Sequence, residues 1–381
     1  MKWLNDYRMR LVLVGIVAVM VLSGENAKAD FTFGEPTNLG PTVNSSHPDA
    51  PDCISSDGLK LYLDSDKAGG YGLWDIWVTT RETIDDDWCA PVNLGPPINT
   101  NYDDAAACIS SDGMELYFQS NRPGGYGSWD IWMTTRETSE RNPEGFWSEP
   151  QNLGPLVNSS NWDGLPWLSP DRLELYYYSR NRTGGYGHDD IWISRRETVN
   201  SPWEAPINLG PVINSSASES VSFISSDGLL LLFSEDVQSP LRPGGFGDGD
   251  LWMTRRASVL DPWVAPFNLG PTVNTSFYDG APRISPDGST LYFCSERPGG
   301  FGGEIYGDIY QAPIIPIVDL NADGIVDNAD MVIMVDHWGT DYSLCDIGPM
   351  PWGDGVVDVE DLIVFMKYWE QENISVNPQD N

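Results

Sequence analysis

Basic side chains are scarce in this sequence. Only 21 Lys and Arg stand against 56 Asp and Glu, a formal net charge of −35 at pH 7. Nucleic-acid binding needs a basic face for the phosphates, so this balance excludes it. An acidic surface suits solubility and cation binding. Cysteine is also rare and odd in number: Cys53, Cys89, Cys108, Cys294 and Cys345. At least one must lack a disulfide partner. Cys53 and Cys108 hold one slot of a repeat in which other copies carry Trp167, Phe223 and Arg283, so that slot requires no disulfide and the thiols read as free. No nucleophile motif, phosphate loop or zinc spacing occurs. After residue 22 no apolar run is long enough to span a bilayer. From residue 31 to 313 there is no helix signal; 38 Gly, 29 Pro and 16 Trp suit a turn-rich β protein.

The first 29 residues read as a secretory signal. Lys2, Arg8 and Arg10 form a basic segment, residues 11–22 are apolar, and Ala27-Lys28-Ala29 is a small-x-small cleavage site. The expected location is secreted, cell-surface or periplasmic in a bacterium.

Asn-Leu-Gly-Pro begins at Asn38, Asn93, Asn152, Asn208 and Asn268, at intervals of 55, 59, 56 and 60 residues. A fixed period of this size means one supersecondary unit stacked on copies of itself. Each copy contains short apolar stretches bounded by turn chemistry. Ser-Ser-Asp-Gly at Ser55, Ser110 and Ser225 and Ser-Pro-Asp-Gly at Ser285 are hairpin turns. Asp75-Ile-Trp and its copies at Asp130, Asp190, Asp250 and Asp308 begin a third strand. Trp88, Trp147, Trp203 and Trp263, each five residues before an Asn-Leu-Gly-Pro, are expected to open a fourth. Four antiparallel strands per unit describe a propeller blade. The fifth copy stops after its third strand, and Phe33 stands where other copies have that Trp, so the N-terminal segment supplies the missing strand and closes a five-bladed ring. Ser-Pro-Asp-Gly, Leu291-Tyr-Phe, Arg297-Pro-Gly-Gly and Asp-Ile-Trp resemble the WD-like Pro-Asp repeats of TolB-type propellers over residues 31–313. The resemblance implies a binding or docking platform.

The repeated Asp57 and Asp75 series read as turn and strand-entry residues. A third ring of acids, Asp49, Asp104, Asp163, Glu219 and Asp279, precedes the first strand of each blade, which lines the channel in propellers. It reads either as five loop caps or as a cation or polar-ligand site on the axis. Just before these acids the copies diverge, and Tyr102, Trp162, Phe277 and Tyr278 are the candidates for stacking on a sugar or other ligand. His188 and Asp189 are a local departure in blade three, where other copies carry Ser128-Trp129 or Leu73-Trp74. No pair of carboxylates stands out as a catalytic acid and base.

Beyond Pro313 there are 14 acids and one Lys. Asp319, Asn321, Asp323, the Ile325 carbonyl, Asp327 and Asp330 occupy positions 1, 3, 5, 7, 9 and 12 of a calcium loop, with Gly324 at the turn. Asp354, Val356, Asp358 and Asp361 repeat its second half; Asp346 lies four residues too early for position 1, and a four-residue bulge would bring it round. Met331, Met334, Val335 and Trp338 match Leu362, Phe365, Met366 and Trp369 as helix stripes that pack together. Residues 318–372 resemble a type I dockerin, a small α-helical, EF-hand-like duplicated domain that plugs into cohesin modules in polysaccharide-degrading systems. The resemblance implies two Ca²⁺ sites and a cohesin-like or cell-surface partner met by loop positions 10 and 11, here Asn328, Ala329, Val359 and Glu360. Residues 314–317 are then a linker and 373–381 a disordered tail.

The expected protein is an exported, non-catalytic binding or assembly protein. The rival is a dockerin-bearing glycoside hydrolase of polysaccharide catabolism; a third reading, a TolB-type envelope protein, fits the repeats but not the tail.

Overall fold

The computed structural model describes residues 31–139, 142–235, 241–302, 307–321, 325–340, 342, 344–348, 353 and 356–369. The expected signal segment, the expected tail 373–381 and the expected ligands Asp323 and Asp354 lie outside the described residues. Two compact units are present, one over Phe33–Ile315 and one built on the stretch from Pro316.

The chain enters through β1 (Phe31–Phe33) and β2 (Thr37–Asn38). Blade one follows as β3 (Asp49–Ile54), β4 (Lys60–Ser65), β5 (Asp75–Thr80) and β6 (Val92–Asn93). Blade two is β7 (Asp104–Ile109), β8 (Glu115–Ser120), β9 (Asp130–Ser139), β10 (Asn142–Trp147) and β11 (Gln151–Asn152). Blade three is β12 (Asp163–Leu168), β13 (Glu174–Arg180), β14 (Asp189–Arg195) and β15 (Ile207–Asn208). Blade four is β16 (Glu219–Ile224), β17 (Leu230–Glu235), β18 (Leu251–Arg255) and β19 (Phe267–Asn268). Blade five is β20 (Asp279–Ile284), β21 (Thr290–Ser295) and β22 (Asp308–Pro316), completed by β2, which pairs Thr37 with Gln311 and Asn38 with Tyr310. The first strands touch in the order β3, β7, β12, β16, β20 and back to β3, so the ring is closed and the molecule is a five-bladed β-propeller.

Three details differ from the sequence reading. The fourth strands are only two residues long, and the tryptophans expected to open them sit outside, Trp88, Trp203 and Trp263 in the connecting segments and Trp147 at the end of the edge strand β10. Each indole lies under the guanidinium of an Arg six residues after the repeated Asp at the start of the third strand: Arg81 on Trp88 at 4.3 Å, Arg136, still within β9, on Trp147 at 4.7 Å, Arg196 on Trp203 and Arg256 on Trp263 at 4.4 Å. Blade two carries an extra edge strand, β10, because β9 runs on past the blade. β22 extends to Pro316, so residues 314–316 are strand rather than linker.

One polar clamp explains the Asn-Leu-Gly-Pro signature. In blade three, Asn214 Nδ2 donates to Asn208 Oδ1 (2.8 Å) and the Ile191 carbonyl (2.9 Å), while its Oδ1 accepts from Ile191 N (2.8 Å). Asn208 in turn donates to Asp190, whose carboxylate also caps the N–H groups of Tyr186 and Gly187. The same bonds recur from Asn44 to Asp308 and from Asn99 to Asp75. These buried side chains supply the third strand with partners that its two-residue neighbour cannot. The apolar cores lie between adjacent blades, as where Tyr176 and Ile191 pack against Val221 and Phe233.

The second unit holds α1 (Asn328–Asp336) and α2 (Val359–Lys367). Both open on a capping box, Asp327 with Asp330 and Asp358 with Asp361. Met334 and Phe365 are buried, but Val335, Met366 and Trp338 are exposed, against the expected stripes. Each helix is only nine residues long, so Trp338 falls past its end, and the core is instead filled from the loops by Val318, Leu320, Val326, Cys345, Ile347 and Val357. Among the described residues no helix is long and apolar enough to cross a membrane.

Candidate functional site

The ring acids are buried and tied into their own blades. Asp104 accepts from Thr100 N and Oγ1 (both 2.8 Å) and from Arg122 Nη2 (2.5 Å). Asp279 does the same with Thr275 and Arg297, Asp49 with Ser45 and Lys67, and Asp163 with Ser159 and Arg182. Each basic partner lies on the turn between the second and third strands and rests on an aromatic ring, as Arg182 does on Trp192 at 5.4 Å. Glu219 differs. Ser215 and Arg242 bind only its Oε1, and Oε2 has no partner among the described residues. Burial pushes the Glu219 carboxyl above the ordinary glutamate range, against the Ser215 hydrogen bonds that lower it.

Three of the candidates come together. Trp162, Glu219 and Tyr278 line one cavity of about 210 Å³ with Tyr178, Arg180 and Asp189. These residues come from blades three, four and five, so the cavity sits at the axial mouth. Trp162 stacks on Trp129 (5.1 Å, interplanar 9°), and the Arg180 guanidinium lies over the same indole at 4.4 Å. Arg180 is held bidentate by Asp189, at 2.8 and 3.1 Å. Gly280 is required here, because a Cβ on it would collide with the Tyr278 hydroxyl. Gly164 is likewise packed under Trp162 and Gln119. Tyr102 lies apart, in a wider groove of about 630 Å³ with Pro96, Pro97, Arg122 and Trp132. Phe277 lines neither cavity. His188 Nδ1 lies 3.3 Å from Asp189.

Sequence reasoning missed Tyr178 and Arg180. Their signal was the aromatic-x-Gly pattern at Trp162-Asp-Gly164 and Tyr278-Asp-Gly280, where a missing Cβ makes room for a ring two residues back.

Below the mouth the axis is filled. The slot of Cys53, Cys108, Trp167, Phe223 and Arg283 lies on the first strands. Trp167 meets Phe223 at 5.3 Å, and Arg283, from the non-adjacent blade five, reaches Trp167 at 5.3 Å. The Arg283 guanidinium also donates to the Asp52 carbonyl. Burial raises Asp64 to about 7 and holds Asp52 well above its ordinary value. All five cysteines are free thiols.

In the second unit the two loops superimpose in their bonding. Asp330 Oδ1 accepts from Asn321 N (3.0 Å) and Oδ2 from Asp327 N (3.0 Å). Asp361 Oδ1 accepts from Gly348 N (2.7 Å) and Oδ2 from Asp358 N (2.6 Å). Asn321 thus corresponds to Gly348 and Asp319 to Asp346, which puts the four extra residues of the second loop at 349–352. A Cβ at Gly353 would collide with the Asp346 carboxylate, so the chain does return to Asp346 after the insertion. Asp319, Asp330, Asp346 and Asp361 are all buried. Among the described residues no three acids converge closely enough to hold a metal ion. Asn328, Ala329, Val359 and Glu360 are exposed, and Val359, Ile363 and Met366 form an exposed apolar row on α2.

No family model and no curated protein matches the sequence. Solved structures similar to the chain include TolB from Acinetobacter baumannii, at 13% identity and TM-score 0.42, where 74% of this chain covers only 63% of that one. Zg3597, a family 117 glycoside hydrolase from Zobellia galactanivorans, is 13% identical with a TM-score of 0.41 over 76% of this chain and 86% of that one. A xylan β-1,4-xylosidase from Bacillus halodurans C-125 is 16% identical with a TM-score of 0.47, over 74% and 54%. Likenesses this distant say nothing of activity; the fold stands on the strand ladders.

Proposed function

We propose that this chain is an exported binding and assembly protein, a propeller that offers a ligand face and a calcium-ordered, dockerin-like unit that docks it to a cohesin-like or cell-surface partner. The observation that carries the ligand face is the axial cavity, lined by aromatic side chains and by Glu219, one of whose buried carboxylate oxygens has no hydrogen-bond partner among the described residues. Concave, partly apolar sites with a few fixed polar groups suit small polar ligands such as saccharide units. Binding is favoured over hydrolysis because four of the five ring acids have both oxygens committed to loops and basic partners.

For the second unit, the buried carboxylates at corresponding ends of two loops are the hard oxygen donors that Ca²⁺ takes. Asp319, Asn321, Asp327 and Asp330 would hold one ion with Asp323 and the Ile325 carbonyl, and Asp346, Asp358 and Asp361 a second with Asp354 and the Val356 carbonyl. Position 3 of the second loop is Gly348, so that site has one side-chain ligand fewer. The exposed apolar row of α2 beside Val359 and Glu360 supports docking.

A glycan array on the full chain, run beside a hydrolysis screen on the same polysaccharides, tests the ligand face. Retention without turnover is expected; turnover lost on substituting Glu219 would replace this reading with the hydrolase. Pull-down of cohesin-bearing or cell-surface proteins should succeed with calcium and fail with chelator; equal recovery in both removes the docking role.

A further inference from the structure

Blade four departs from its neighbours at two facing positions. The other blades pair an Asp with a Ser: Asp49 with Ser65, Asp104 with Ser120, Asp163 with Ser179 and Asp279 with Ser295. Blade four pairs Glu219 with Glu235. In blade two, Ser120 Oγ donates to Asp104 Oδ1 (2.5 Å) and Arg122 answers the single charge. In blade four, Arg242 answers two carboxylates, reaching Glu219 Oε1 at 3.1 Å and Glu235 Oε1 at 3.0 Å. The longer side chain also gathers every Glu219 bond onto Oε1, leaving Oε2 buried and unpartnered among the described residues while Glu219, 0% exposed, lines the axial cavity.

A buried carboxylate oxygen without a donor is costly inside a protein, and the single charge of Arg242 cannot neutralise both Glu219 and Glu235. A ligand hydroxyl would complete the hydrogen bonding and leave the charge unanswered. A protonated amine answers both, and Tyr178 and Tyr278 line the same cavity with aromatic rings of the kind that stabilise a cation. Arg180 is already engaged by Asp189 and Trp162.

We infer that the axial cavity takes the protonated primary amine of a small ligand, such as an amino sugar, with the ammonium group donating to Glu219 Oε2. This rests on the axial mouth being the ligand face and narrows what that face selects.

Isothermal titration calorimetry of the full chain with glucosamine, glucose, N-acetylglucosamine and n-butylamine tests it. The two amines should bind, and the neutral sugars should bind weaker by about tenfold or more, the scale of one charge-assisted hydrogen bond. Glucosamine against butylamine shows whether the sugar ring contributes beyond the amine. The double variant Glu219→Asp with Glu235→Ser recreates the pair that four blades already use; it should keep the wild-type thermal transition and lose the preference for amines. Equal binding of glucose and glucosamine, amine binding that survives in the folded double variant, or no amine binding at all would each overturn the inference. The first result leaves the ligand face standing; an empty glycan array together with no calorimetric signal removes both.

Discussion

The two units treat buried negative charge in opposite ways. In the propeller each ring acid lies against a Lys or Arg from the next turn of its own blade, and that cation is itself laid on an aromatic ring. Four of these acids have a cation of their own, while in blade four Arg242 is shared by Glu219 and Glu235. From residue 318 to 369 the only Lys or Arg is Lys367, yet Asp319, Asp330, Asp346 and Asp361 are buried. An acidic sequence is therefore no guide by itself to a cation site; what matters is whether a basic partner recurs at a fixed distance.

That contrast is broken or sharpened by four measurements. The largest effect is expected from chelation. Adding EDTA should abolish the cooperative thermal transition of the second unit and leave that of the propeller in place, because metal binding and folding are coupled in so small a core. Two unmoved transitions in calorimetry would erase the distinction. Next comes Arg283→Met, which strips the cation from the axis and leaves Asp52 and Asp64 buried without it; propeller stability should fall by roughly 3–5 kcal/mol in urea unfolding. Asn214→Ala should cost about 2–3 kcal/mol by stranding the N–H and carbonyl of Ile191, with no effect on the second unit.

The fourth measurement is a pH slope. Burial raises Asp64 to about 7, so the folded state keeps a proton that the unfolded chain has lost. Propeller stability should therefore decline as pH rises from about 4 to 7 and level off above that. Asp64→Asn should reduce that slope. A slope of the opposite sign, or one unchanged in the variant, would contradict the burial of this carboxyl.

Much of the ring was legible in the sequence because its signals are local. Turn dipeptides, alternating strands and a fixed period gave the blades, and the missing final strand beside an orphan first one gave the closure by β2. The tryptophans before Asn-Leu-Gly-Pro were misplaced because an indole under an Arg and a strand aromatic look alike in one dimension. The ring acids could have been read as ion-paired from the sequence, since a Lys or Arg follows at Lys67, Arg122, Arg182, Arg242 and Arg297, but a pair some 20 residues apart is visible only once the hairpin between them is folded. The meaning of Glu219 needed the cavity. Asp and Glu are equivalent acids on paper, and only packing shows that one methylene moves every bond onto a single oxygen. In the second unit the bulge that returns Asp346 was legible from loop length, while the outward turn of Val335 and Met366 was not, because a nine-residue helix gives too few turns to define a face.

The crossing of Arg283 to Trp167 makes the ring a cup and not a tube. Whatever enters the mouth must leave by it. A polymer cannot be threaded through such a vessel; only its tip or a projecting group can be sampled, and capture and release share one door.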